Sequence, residues 1–215
     1  MALTWILSEI ATKVRAITGL LTTEDIEDVD LYAKINDYYR NNFPLVAYVS
    51  EFDDWFEQVT ADEDGGEYAF DQAYLRLDTP ATIMDSDDIL SDVKLYQDKD
   101  RFFYLFPEEA DPTESTPYAA LIYGQTLYLR PEPDGIYTFR AACIKKPTAL
   151  IAATAPPDLI WGPAIAYGTA IEMMIEDLDD EAMGKLTGVF QYHLNKIDRK
   201  KIMQKKTNQR TTPRF

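Results

Sequence analysis

Gly124-Gln125-Thr126-Leu127-Tyr128-Leu129-Arg130-Pro131-Glu132-Pro133-Asp134-Gly135-Ile136-Tyr137-Thr138-Phe139-Arg140-Ala141-Ala142-Cys143-Ile144-Lys145-Lys146-Pro147 is the stretch that decides the fold class. Ile136, Thr138, Arg140, Ala142 and Ile144 fall on one side of an extended chain, and Tyr137, Phe139, Ala141 and Cys143 on the other. That period of two is a strand signal. Pro131 to Gly135 is a turn with a mechanism, since proline sets φ and glycine accepts φ > 0. The reading predicts a hairpin of 125–130 with 136–146.

Working outward, the aromatic-rich, period-two character continues upstream. Tyr68, Phe70, Leu75 and Leu77 lie in a strand-like segment. Val93, Leu95, Phe102, Tyr104 and Phe106 alternate, with Pro107 as the stop. Tyr118–Tyr123 and Gln125–Arg130 are short apolar runs separated by Gly124. A small antiparallel sheet or sandwich is expected over 45–147.

On either side the period changes to that of a helix. Leu3, Ile6, Leu7, Ile10 and Val14 form one apolar face, and Gly19 is placed to stop it. Thr22 and Thr23 precede the acids Glu24, Asp25, Glu27 and Asp28, an arrangement that suits a helix N-terminus. Val29, Tyr32, Ile35 and Tyr39 mark the next stripe, with Asn41, Asn42 and Pro44 ending it. After the small-residue stretch Thr148–Pro157, Asp158–Pro163 is a helix start, and Ile165, Gly168, Ile171, Glu172 and Ile175 follow. Ala182, Leu186, Val189, Phe190, His193, Leu194 and Ile197 form a last stripe. The predicted architecture is α+β. Helices at 1–44 and 148–203 pack as a small bundle, a β-rich domain is inserted at 45–147, and an extended basic tail occupies 204–215.

Composition removes several function classes. The 215 residues are 46% hydrophobic and 27% charged, enough for a sizeable core. One histidine, His193, leaves no room for a His-rich zinc site, and one cysteine, Cys143, excludes an internal disulfide framework. No apolar run reaches the roughly 18 residues of a membrane span. Met1–Ile10 lacks the basic start of a signal peptide. No cofactor is expected. Gly184-Lys185-Leu186-Thr187 misses the phosphate-loop pattern, and Asp62–Glu67 misses calcium-loop spacing. The carboxylate clusters at Asp53, Asp54 and Glu57 and at Asp85, Asp87 and Asp88 are read as solvated surface in an acid-rich chain.

Charge is the compositional anomaly. The chain carries −16, but residues 194–215 hold eight basic residues against Asp198, so the first 193 residues stand at −23. Such a body repels phosphate. The basic end suits an acidic groove on a partner and folding on binding, with a merely solvated tail as the competing reading.

Three segments taken in order resemble the head-to-tail adaptor (connector) proteins of tailed bacteriophages. They are Ile35-Asn36-Asp37-Tyr38-Tyr39-Arg40 leading to Phe43-Pro44, the 124–147 stretch above, and the ending Asn208-Gln209-Arg210-Thr211-Thr212-Pro213-Arg214-Phe215. The resemblance implies a non-enzymatic virion protein, assembled in the host cytoplasm and placed at the head–tail junction. It implies a ring, commonly of twelve copies, bound to the portal and to tail or neck proteins, through which double-stranded DNA passes. Lys205, Lys206, Arg210, Arg214 and Phe215 are the residues expected to contact the portal. A neck or tail-completion protein further from the portal, and a carboxylate-pair cell-wall hydrolase, are the alternatives.

Overall fold

The computed structural model describes residues 4–20, 22–47, 49–60, 65–71, 73–107, 114–176 and 180–208. It is an α+β fold that divides into two compact units, one of residues 1–50 with 147–215 and one of residues 51–146.

In the first unit, α1 (Leu7–Thr18) buries Leu7, Ile10, Ala11 and Val14 and ends at Gly19, whose φ of 80° only glycine adopts without strain. Arg15 organises the following loop by donating to the carbonyls of Thr22 and Ile26 and pairing with Asp28 at 2.7 Å. Helix α2 (Asp28–Asp37) starts later than the threonines suggested. Thr22 instead donates its N–H and hydroxyl to Asp25, closing a turn. The buried face of α2 is Leu31 and Ile35, continued by Tyr38 and Tyr39, while Val29 is 74% exposed. A wide π-helical turn at Tyr38–Asn42 then runs straight into α3 (Phe43–Ala47). Pro44 does not end the helical run; it follows directly on the widened turn, whose Phe43 N–H reaches back five residues to the Tyr38 carbonyl.

The small-residue stretch before the C-terminal helices has a definite job. The carbonyls of Ala152 and Thr154 accept from the N–H groups of Ser8 and Leu7, capping the start of α1. Asn36 exchanges two hydrogen bonds with the backbone of Leu150. Helix α5 (Trp161–Glu176) buries Trp161, Ala164, Ile165, Ala166 and Ala170. Its glycines permit close approach: a Cβ on Gly168 would collide with the ring of Tyr38. Helix α6 spans Asp180–Asn208 and buries Leu194 and Ile197, so it continues past residue 203, the expected end of the helical region.

The second unit is a sandwich. β1 (Asp53–Val59), β3 (Tyr74–Met84), β4 (Leu90–Asp92) and β8 (Thr138–Lys145) form one sheet in the order β1-β8-β3-β4. β2 (Glu67–Ala69), β5 (Lys94–Tyr96), β6 (Ala119–Tyr123) and β7 (Thr126–Arg130) form the other, in the order β2-β7-β6-β5. Neighbouring strands are antiparallel except β5 and β6. Between the sheets lie Phe56, Tyr68, Ile83, Val93, Leu127, Leu129, Phe139, Ala141 and Cys143. The alternation read from 136–144 holds as far as Cys143: Tyr137, Phe139, Ala141 and Cys143 are buried and Ile136 and Arg140 are exposed, while Ile144, expected on the side of Ile136 and Arg140, is buried as well.

The predicted hairpin partner is not correct. β7 pairs with β6 and β2, whereas β8 pairs with β1 and β3, so Pro131–Gly135 carries the chain from one sheet to the other. The true tight hairpin is β6–β7, turned by Gly124 (φ 60°) and Gln125 (φ 68°). Two consecutive positive φ values are the backbone of a type I′ turn, which matches strand twist. The expected strand around Phe102 is also replaced, by helix α4 (Lys99–Leu105). The Asp98 carboxylate accepts from the N–H groups of Asp100 and Arg101 and starts the helix. Phe102 and Phe106 then lie one turn apart and pack with Phe103, Tyr96 and Tyr128 over Ala119 and Leu121, the outward residues of β6.

Phe139 is fully buried between the sheets, against Phe56. Truncating it leaves a cavity that a β-sandwich closes poorly. Phe139→Ala is expected to lower the stability of this unit by about 3–5 kcal/mol, read as a shift of its urea unfolding midpoint with the helical unit's transition unchanged.

Candidate assembly surfaces

The residues that sequence reasoning singled out for chemistry are employed in structure. Asp54 sits on β1 and accepts from the Lys145 ammonium at 3.0 Å and from the Trp55 N–H. That Trp55 bond, followed by Lys145, holds its carboxyl below the usual range. Glu57 pairs with Arg140 at 3.1 Å, and Arg140 lies 4.6 Å over the Trp55 ring. Asp85 closes the turn before β4 by accepting from the N–H groups of Asp87 and Ile89. Residues 61–64 of the acidic run lie outside the described residues. Glu67, at its end, pairs with the buried Arg130, which also donates to the carbonyls of Gly65 and Leu129. Among the described residues, no three His, Cys, Asp or Glu side chains are grouped to hold a metal ion. Nor is any helix among them long and apolar enough to cross a membrane.

Gly184–Thr187 lies within α6, without the loop that cradles a phosphate. Cys143 is 3% exposed in the sandwich, and burial pushes its thiol up to about 11. His193 is half-buried on α6, stacked on Tyr167 at 5.4 Å. Burial, then Lys196 and Lys13, lower its pKa.

Of the residues expected to contact the portal, Lys205 and Lys206 fall in the last turns of α6. Arg210, Arg214 and Phe215 lie outside the described residues. The helical unit also has an apolar groove of about 400 Å³ between the Tyr38–Val46 segment and α5 and α6, walled by Leu45, Val46, Ile171, Ile175 and Phe190. The Tyr38 hydroxyl, buried at its edge, has no hydrogen-bond partner among the described residues.

What the geometry offers is exposed surface. Trp55, Val59, Ile89, Leu90, Tyr104, Tyr118, Ile136 and Tyr192 are all large and more than 40% exposed. Where such residues gather into patches, they mark association. The sequence profile of the SU10 adaptor protein family matches residues 1–214. The chain belongs to that family. No curated protein matches it. Membership of an adaptor family agrees with a molecule whose chemistry-bearing side chains cap turns and pair strands.

The lowered pKa of His193 has a sign that can be measured. Between the unfolded value of 6.5 and the lower folded value, the unfolded chain binds more protons, so stability falls as pH falls through that window. From pH 7 to pH 5, the wild-type chain should lose thermal stability relative to His193→Gln, as read by paired melting curves.

Proposed function

We propose that this SU10-family chain is the head-to-tail adaptor of a tailed phage, forming a ring beneath the portal that joins the DNA-filled head to the tail. The observation that carries the reading is the family match, which spans residues 1–214 and therefore both units. The protein works by assembly and not by catalysis. In support, Asp54 and Glu57 pair with basic side chains, Asp85 closes a turn and Asp98 caps a helix. Among the described residues, the two carboxyls with clear pKa shifts, Asp25 and Asp54, both move downward, opposite to a glycosidase acid.

Charge divides the labour. The body at −23 repels phosphates, so DNA slides past it without adhering. Lys205, Lys206, Arg210, Arg214 and Phe215 engage an acidic groove of the portal, where positive side chains set orientation and speed of encounter. The protein resides at the head–tail junction of the virion.

A mixture of the purified chain with the portal protein of the same phage should show a ring-sized gain in assembled mass by light scattering. A chain lacking residues 204–215 should lose only the helical signal of the α6 residues removed, keep the melting of the sandwich unit, and no longer join the portal. Unchanged docking of the truncated chain overturns the role of the tail, and failure of the full chain to join the portal overturns the adaptor reading.

A further inference from the structure

The register of the first sheet assembles a mostly apolar row that is half-buried at its centre and exposed at both ends. Val59 stands opposite Thr138, Thr138 opposite Met84, and Met84 opposite Leu90. Since Phe139 and Ile83, one residue away, face the core, these four residues lie on the outer face. Val59 is 57% and Leu90 65% exposed. Ile136, two residues before Thr138, and Ile89, in the turn, extend the patch and are comparably exposed. Its fringe is acidic. Asp87 and Asp88 occupy the β3–β4 turn, and the next row runs Glu57, Arg140, Thr82 and Asp92, in which Glu57 pairs with Arg140 at 3.1 Å and leaves Asp92 in excess. Asp85 holds the turn rigid through the Asp87 and Ile89 N–H groups, so the patch is preorganised and little entropy is lost on docking.

Helix α6 carries the complement. Lys185, Val189, Tyr192, Lys196 and Arg199 recur at steps of four, three, four and three, which puts them on one face about 21 Å long. All five are exposed, while Leu194 and Ile197 point to the core. The Lys196 ammonium lies 4.4 Å over the Tyr192 ring and Lys185 pairs with Glu181 at 2.6 Å, so Lys196 and Arg199 supply the cationic fringe beside the apolar centre.

We infer that the Val59–Leu90 face of one copy docks on the Lys185–Arg199 stripe of α6 in the next copy. The inference rests on the adaptor reading and names its subunit contact. The occupant is a second copy because the two patches match in both apolar character and opposite charge, and both stand open in the single chain. Two different patches meeting in one sense give a head-to-tail contact, which closes into a ring when the rotation returns on itself. The charged fringes make the contact weaken with added salt.

The test uses the full chain assembled on the portal protein. Leu90→Cys combined with Val189→Cys should give, on oxidation, a ladder of covalent multimers on a non-reducing gel, with the buried Cys143 silent and either single variant giving no ladder. Lys196→Glu with Arg199→Glu should weaken assembly at least tenfold, and adding Asp87→Lys and Asp88→Lys should restore it, a rescue that a folding defect would not show. Wild-type rings without the ladder and without rescue overturn the contact and leave the adaptor reading standing. Covalent dimers alone overturn its head-to-tail sense, and capture of the portal by the Leu90→Cys single variant overturns the contact by assigning the patch to the portal. Absence of wild-type rings overturns both.

Discussion

Strand β7 has no free edge. β6 occupies one side through the Gly124-Gln125 turn and β2 the other, with the Leu129 N–H donating to Gly66 and the Arg130 carbonyl accepting from Tyr118. The chain leaving Arg130 therefore has to abandon the sheet. Pro131–Gly135 carries it across, and Thr60 catches it by accepting from the Tyr137 N–H and donating to the Gly135 carbonyl. As a result, consecutive strands face each other across the core, Leu127 and Leu129 on one side and Phe139 and Ala141 on the other. The buried Arg130 is tolerated because three carbonyls and Glu67 surround its guanidinium.

Much of this was legible residue by residue. The inward set of β8 and the glycine stop of α1 follow from spacing alone, because side-chain period and positive φ are local properties. Strand partners are not local, and the 131–135 segment reads equally as a hairpin loop or as a crossover. The two-residue gap at Gly124-Gln125, flanked by apolar runs, was the stronger hairpin signal. Phe102, Tyr104 and Phe106 fit either period, and Asp98 as a capping residue was what could have decided for a helix. Val29 satisfied the helical spacing of α2 and still faces solvent, since spacing defines a face and not what covers it.

The candidate surfaces divide the same way. The basic–apolar stripe of α6 follows a repeat of four and three, but Val189 also fits the apolar spacing of Leu194 and Ile197, the stripe in which that spacing places it, and the structure leaves it exposed. The outer row of the sheet is not visible in the sequence, because Val59, Thr138, Met84 and Leu90 come from four strands and meet only through register. The acidic clusters mislead as chemistry because a carboxylate beside a turn or a lysine looks, in sequence, the same as one awaiting a substrate.

Asp53 and Ile144, where the sandwich begins and ends, are paired neighbours on β1 and β8. Entrance and exit of the inserted unit thus stand one strand spacing apart, roughly 5 Å. A module attached through two adjacent strands returns the chain to where it left, so a short loop would span the same gap between the host helices.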